Sequence, residues 1–525
     1  MFIRKRVFIL LVLFLPLFAI SQQRWEVIIS NSGLDFELIT SDCAYDEGFI
    51  TNARIKTVNN RNYFMKSNIN GELLWDKVIV YNNNWTNISR IKQNQNGETL
   101  FCGTVDGYAS LLLLDACGNP SWCNEFISSE YYTETIHMDA FFLDNGDIIT
   151  LTSLYKYGSG YDVGLMSFDN NGDFLWFHPY GLLEKYNLLD MVVPYFLDYF
   201  NNFFIISGFC YYAYPDNPSL VYLKPMFIKT DNNFDEEWFL PYGMGDTIIG
   251  DATGVISFDG NVFNGYGAYK KLGAGFYNSI LMNFNIDGNE SSYIGIDNSA
   301  INDSVTENML FRVVQRDDTS YIASAKFGNA GYENPFGEWI MDTLGNIFQY
   351  QSHENAGGNI TPIIKTTDDK YCFAYQYNYS DILLYKLNAD LSQAEIDTNS
   401  YNYDSLCDDL PIVSDTIYLD NCSIVTSIDE APTPSEYYAS LKTINIIVMP
   451  NPANNAITFE VESSGYHNNI VLTCYNVSGQ KIFEKYVEQN QATVKTSITN
   501  WQSGIYVVVA SSENGGYGNS KFVVK

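Results

Sequence analysis

The chain has 525 residues, enough for more than one domain, and sets 29 Lys plus Arg against 61 Asp plus Glu for a formal net charge of −32. A field of that sign repels polyanions, so nucleic acid and acidic lipid are poor candidate partners and none is expected, and the charge suits solubility outside the cell. Aromatic residues make up 16% of the chain and charged residues only 17%, and no long Ala/Glu/Lys/Leu-rich stretch is present, so an all-β chain is expected.

At the N-terminus, Arg4, Lys5 and Arg6 precede an apolar run from Val7 to Phe18, and Ala19-Ile20-Ser21 follows. This is the layout of a secretory signal peptide over residues 1–21, with cleavage between Ser21 and Gln22. The run is about 12 residues, against about 20 for a membrane span. No Cys marks the boundary, which argues against a lipoprotein. No second run is long enough to cross a bilayer, so no transmembrane segment is expected in the mature chain.

Residues 45–395 carry a recurring unit: an apolar strand, a turn centred on Asn or Asp with Gly, and a strand that often opens with Trp. The clearest copies are Tyr63–Trp75 and Leu165–Trp176. Five more turn at 118, 234, 288, 345 and 390, and all seven turns, with 71 and 172, lie 45 to 62 residues apart. Asn-Gly and Asp-Gly tolerate the positive φ of tight hairpins. Each copy follows another strand pair, as at Asp46-Glu47-Gly48 and Asn145-Gly146-Asp147, giving about four strands per repeat, the content of one propeller blade. The expected architecture over 22–405 is a β-propeller of about seven blades, with a β-solenoid or tandem sandwiches as alternatives. Trp25 to Ser30 is expected to pair with the last blade and close the ring. Trp75, Trp122, Trp176 and Trp238 recur at a fixed offset, which implies a packing role. Sugar-stacking platforms fit better in irregular loops, at Tyr211, Tyr212 and Tyr214 or Tyr266 and Tyr269.

The turn Asp169-Asn170-Asn171-Gly172-Asp173 has the composition of a calcium loop but lacks the Glu six residues after the Gly. It reads as a plain hairpin turn. No cofactor is implied, with weak Ca²⁺ binding the one alternative. Of the nine Cys, Cys407 and Cys422 flank the strand-like run Ile412 to Leu419 and are the favoured disulfide pair. Cys117 and Cys123, around Gly118-Asn119-Pro120, form a second candidate pair or two buried thiols.

Residues 406–443 read as a spacer, with the polar, Pro-containing stretch Asp429 to Ser435 inside it. From 444 onward, short alternating strands read as a small immunoglobulin-like β-sandwich. This module contains Pro450-Asn451-Pro452 after a short apolar strand, a strand ending in Asn476-Val477-Ser478-Gly479-Gln480, then Trp501-Gln502-Ser503-Gly504-Ile505-Tyr506, and a final strand with Lys521. In this order, the marks resemble the type A family of type IX secretion C-terminal sorting domains. Met449 stands where that family often has an aromatic. The resemblance implies export by the Sec route and then by the type IX machinery, and removal of the domain by a sortase within about 423–445. It also implies a secreted or outer-membrane surface location. A generic adhesion sandwich is the alternative.

Catalysis leaves few traces. The chain has four His, namely His137, His178, His353 and His467. It shows no His-Glu-x-x-His, Gly-x-Ser-x-Gly, P-loop or Gly-x-Gly-x-x-Gly after a strand. The favoured function is therefore a non-catalytic body that binds an extracellular glycan, peptide or protein. The alternative is a propeller hydrolase or lyase acting on polysaccharide, whose two carboxylates sequence alone cannot pick out.

Overall fold

The structure is a computed structural model. It describes residues 26–525 apart from 30–34, 57–60, 82–84, 106–107, 132–137, 157–158, 187, 189–190, 201–202, 215–216, 244–247, 272–276, 297–306, 329–335, 354–355, 378–380, 420–421, 427, 429–430, 442–443, 464–469, 488–492 and 513–515. The signal segment 1–21 with its Ser21–Gln22 junction, and His137 and His467, lie outside the described residues. The fold is all-β, with 67% of the described residues in strands and 3% in helices.

The described residues between 26 and 425 form seven sheets, each built on four strands in up-and-down order, numbered I to VII here from the sheet of Phe36–Cys43 onward. Their first strands are Phe36–Cys43, Trp85–Gln93, Met138–Phe142, Val192–Phe200, Ile248–Ser257, Glu307–Asp317 and, in sheet VII, Ala356–Ile360 with Ile364–Lys365. Neighbouring sheets from I to VI meet along these strands, sheet VI meets sheet VII through Phe336–Asp342 against Ala356–Ile360, and the first strand of sheet VII touches that of sheet I, so the row closes into a ring. The outer strand of sheet VII is Glu26–Ile29, which pairs antiparallel with Asp381–Leu387, Glu26 opposite Tyr385. The N-terminal strand thus completes the last sheet, and no long sheet edge stays open at the junction. The body is a β-propeller.

The hairpin turns explain why the repeat folds this way. In sheet III the Oδ1 of Asp169 accepts from the backbone N–H of Asn171 and of Asp173, at 2.9 and 2.8 Å, and Gly172 takes φ +82°. Asn68, Asp115, Asp231, Asn285 and Asp342 accept the same pair of bonds in sheets I, II, IV, V and VI. An Asx side chain five residues before the strand replaces backbone partners and sets the turn. Sheet IV departs from the pattern, because Phe234 occupies the positive-φ site at 64°.

The Trp four residues after each of the first four turns packs against the next turn. A Cβ on Gly172 would lie 2.6 Å from Trp122, and one on Gly288 would lie 2.8 Å from Trp238. Trp122 and Trp238 also donate Nε1–H to the carbonyls of Asn170 and Ile286, at 3.0 and 2.9 Å. Where sheet IV has Phe234 instead of glycine, Trp176 packs on that ring with centroids 5.1 Å apart. Cores between sheets are aromatic as well, with Phe64 of sheet I edge-on to Phe101 of sheet II at 4.9 Å.

The segment read as a spacer is a belt on the outside of the ring. Asp404 receives Lys66 Nζ at 2.6 Å and Trp75 Nε1 at 3.1 Å. Asp415–Leu419 then adds in parallel to Leu73–Tyr81 of sheet I, and Ser423–Val425 adds in parallel to Pro120–Phe126 of sheet II. The helix Pro434–Leu441 follows, and its Tyr438 stacks on Phe234 at 6.0 Å. Two disulfides fasten the belt, Cys117–Cys407 and Cys123–Cys422. The expected Cys407–Cys422 and Cys117–Cys123 pairs are thus corrected. The belt runs extended, so the two ends of 407–422 lie apart, each beside a different cysteine of sheet II.

Residues 444–524 form a separate two-sheet sandwich. Ile444–Met449, Ala456–Ser463 and Thr493–Ser497 make one sheet. Lys481–Val487, Ile470–Asn476, Gly504–Ser511 and Tyr517–Val524 make the other. Its core draws only on this segment, with Ile457, Phe459, Leu472, Cys474, Val508 and Phe522 buried between the sheets. Among the described residues no helix is long and apolar enough to cross a membrane.

Candidate functional site

The seven first strands enclose a central cavity of about 860 Å³, within the range of small-molecule sites. Every sheet contributes, through residues 40–43, 90–92, 139–141, 196–200, 255–257, 312–318 and 362–365. These lie toward the C-terminal ends of the strands, so the site occupies one end of the channel. Side chains alternate along a strand, which brings Arg90 and Lys92 to the same face.

Charge in the cavity is mixed and mostly paired. Arg312 Nη2 meets Asp198 Oδ1 at 3.0 Å, and Lys92 lies 3.4 Å from Asp42. Asp198 Oδ2 accepts the N–H of Val255 at 2.9 Å, and Asp139 Oδ2 accepts that of Leu197 at 3.0 Å. In both cases a carboxylate of one sheet holds the backbone of the next. Burial raises the pKa of Asp198, and Arg312 partly offsets this. The Asp42 carboxylate raises that of Lys92. Burial pushes the Cys43 thiol up to about 12, so it carries no thiolate near neutral pH. At the rim, hydrogen bonds, first from Ser320 and then from Thr319, hold Asp317 down at about 2. Phe196 lies within cation–π range of two guanidinium groups, 4.3 Å from Arg90 and 5.4 Å from Arg312.

The aromatic residues proposed from the loops stand elsewhere. Tyr266 is fully buried, Tyr269 packs on Tyr293 at 6.2 Å, and neither these nor Tyr211 and Tyr212 line the cavity. The side chain of Tyr214 is outside the described set. Phe141, Phe196, Tyr199 and Phe200 supply the aromatic lining instead. The turn carboxylate of Asp169 is spent on backbone N–H groups. Among the described residues no three His, Cys, Asp or Glu side chains converge as metal ligands.

The sandwich shows what its marked residues do. Pro450-Asn451-Pro452 turns out of the first strand, and Asn451 ties that turn to the last one. Its Oδ1 accepts the N–H of Val523 at 3.0 Å, and its Nδ2 donates to the carbonyl of Lys521 at 3.3 Å. Gly479 takes φ +76° in a hairpin capped by Asn476, whose Oδ1 accepts from Ser478 and Gln480. Gly504 opens the strand opposite Val524. Tyr506 is buried, donates its hydroxyl to the carbonyl of Gln502 at 2.8 Å and stacks on Phe522 at 5.6 Å. Asn451, Gly504 and Tyr506 thus meet the last strand, whereas the Gly479 hairpin joins two other strands of the same sheet.

Residues 447–525 match the secretion system C-terminal sorting domain family. The chain therefore carries a type IX sorting domain behind a propeller-type repeat body. It is a protein sorted by type IX secretion, secreted or attached at the outer-membrane surface.

No curated protein sequence matches the chain. Among solved structures, the extracellular domain of a one component system from B. thetaiotaomicron matches at TM-score 0.40 and 11% identity, over 96% of this chain. The chain spans only 59% of that structure's length. The β-propeller domain of the Trilobed protease from Pyrococcus furiosus matches at 0.40 and 9% identity, over 70% of this chain and 99% of that domain. A thermostable family-43 glycoside hydrolase matches at 0.30 and 12% identity, over 50% and 95% of the two chains. At these scores the likenesses are distant, and the sheet order and ring closure carry the fold assignment.

Proposed function

We propose that the propeller body is a non-catalytic binding module, delivered outside the cell by the sorting domain, and that the central cavity holds its ligand. The observation that supports binding over catalysis is the engagement of Asp42, Asp139 and Asp198, three of the five carboxylates that line the cavity. Asp139 and Asp198 accept backbone N–H groups from the neighbouring sheet, Asp198 also pairs with Arg312, and Asp42 pairs with Lys92. Hydrolysis of a glycoside needs one carboxyl held protonated near neutral pH and a second one free as base or nucleophile. Asp317, held at about 2, is a poor proton donor, and the Cys43 thiol is no nucleophile.

The division of the chain follows from this reading: a signal segment to residue 21, a body from 22, a belt that stays with the body, and a sorting domain from 444. The partners are the type IX machinery, its sortase and an extracellular ligand. A screen of residues 22–441 against a glycan array, with product analysis on the same polysaccharides, tests the proposal. Binding without turnover is expected. Turnover of any polysaccharide would establish the hydrolase or lyase reading instead.

A further inference from the structure

Lys66, on the Arg61–Ser67 strand of sheet I, lies between two acids, Asp46 of a neighbouring turn and Asp404 of the belt. Its Nζ meets Asp46 Oδ2 and Asp404 Oδ1, each at 2.6 Å. All three side chains are out of water, at 1%, 5% and 8% exposure. The carboxylates that meet Lys77, Lys229 and Lys386 are by contrast 51%, 47% and 25% exposed. Dehydrating an ammonium and two carboxylates is costly, and their mutual attraction repays that cost only in part. An amide between Lys66 and Asp404 carries neither of their charges.

The groups around this pair stand where amide formation needs them. With Nζ at 2.6 Å from Oδ1, the amine lies about 3.5 Å from the Asp404 carboxyl carbon, the range of a near-attack pair. Trp75 donates Nε1–H to the other oxygen, Oδ2, at 3.1 Å, where the charge of a tetrahedral intermediate would collect. Asp46 Oδ2 also accepts the backbone N–H of Asp404 at 2.7 Å, which holds this second acid beside the reacting atoms. The Oδ1 of Asp46 is buried and has no hydrogen-bond partner among the described residues, so it is open to take up a proton. Asp404 sits at φ 55°, a left-handed conformation that few residues other than glycine hold. The Tyr45 ring covers Nζ at 4.7 Å.

We infer that Lys66 and Asp404 condense to an intramolecular isopeptide bond, which joins the belt covalently to sheet I. Asp46 takes a proton from the ammonium. The freed amine attacks Asp404 Cγ, and Oδ2 holds the developing charge against the Trp75 N–H. The bond from Cγ to Oδ1 then breaks. Oδ1 leaves as water with two of the three ammonium protons, one of them relayed by Asp46, and the third stays on the amide nitrogen. Asp46 ends as it began, and no oxidant, cofactor or other reactant is consumed. The bond is independent of what the central cavity holds.

Mass spectrometry of the full mature chain, denatured without reduction, tests it. The chain should be lighter by the mass of one water than its sequence with two disulfides requires. After reduction, alkylation and trypsin digestion, the peptide holding Lys66 should remain joined to the peptide holding Asp404, with no cut after Lys66. Lys66→Arg keeps the positive charge and should show the full mass and no joined peptide. Asp46→Asn removes the proton carrier and should leave most chains at full mass, with urea unfolding curves confirming that the variant is folded. The wild-type measurement stands whether or not a variant folds. Three results overturn the inference: wild-type protein at full mass, a loss of water located outside these two peptides, or joining in a folded Asp46→Asn to the wild-type extent.

Discussion

Trp122 of sheet II lies on Gly172 of sheet III so closely that a Cβ on the glycine would come within 2.6 Å of the indole. The same contact recurs between Trp75 and Gly118 and between Trp238 and Gly288, so three of the sheet junctions share one joint. Gly172→Ala places a side chain at φ +82° and drives it into the Trp122 ring. Strain and overpacking together should lower stability by about 2–4 kcal/mol, read as a shift in urea midpoint. The same change at Gly479, where nothing lies within 4 Å, should cost only the backbone term, about 1 kcal/mol.

The belt should come loose when its disulfides are removed. Each of Cys117–Cys407 and Cys123–Cys422 closes a loop of nearly 300 residues, with separations of 290 and 299. Loss of either should cost on the order of 2–5 kcal/mol. Limited proteolysis followed by mass spectrometry should find new cuts between 405 and 426 in Cys407→Ser and Cys422→Ser. The wild-type belt should resist under non-reducing conditions. Equal resistance in the variants would mean that strand pairing alone holds the belt.

Asp251 on the first strand of sheet V gives a pH signature. Burial, the largest cause, raises its pKa to about 6 from an ordinary value of 3.8. The unfolded chain therefore releases this proton at lower pH than the folded one. Stability contributed by the protonated form is present below pH 4 and is lost as pH rises to about 6, by about 2–3 kcal/mol. Asp251→Asn should flatten this part of the stability curve and leave the protein more stable than wild type at pH 7. Denaturation at pH 4, 5, 6 and 7 reads the slope.

Asn451 ties the Pro450–Pro452 turn to the last strand through two hydrogen bonds, to Val523 and Lys521. Asn451→Ala should lower the stability of the sandwich by about 1–3 kcal/mol and reduce the amount of protein reaching the surface. Unfolding of the body should not change, since the sandwich core is drawn from residues 444–524 alone.

The hairpin turns were legible because their chemistry is local. Asp169 and Gly172 specify the same geometry wherever they occur, and the fixed Trp offset announced a fixed contact. The last repeat was less legible, since Leu391 rather than a glycine takes the positive φ, although the pairing of the N-terminal strand with it was read from Trp25 to Ser30. The belt was not legible. Its Pro-containing, polar stretch has the composition of a linker, and its order comes from strands and cysteines about 300 residues away. The cavity was not legible either, because ring closure brings together seven strands far apart in sequence. Arg90 and Lys92, two residues apart on one strand face in an acidic chain, were the available signal.

The most direct test of the account is where the protein goes without its last domain. Residues 444–525 are deleted and the protein is located by cell fractionation and surface labelling. The account predicts a folded body, with its belt disulfides intact, held in the periplasm while the full chain reaches the surface or the medium. A truncated protein that still appeared on the surface would contradict the sorting role of the sandwich.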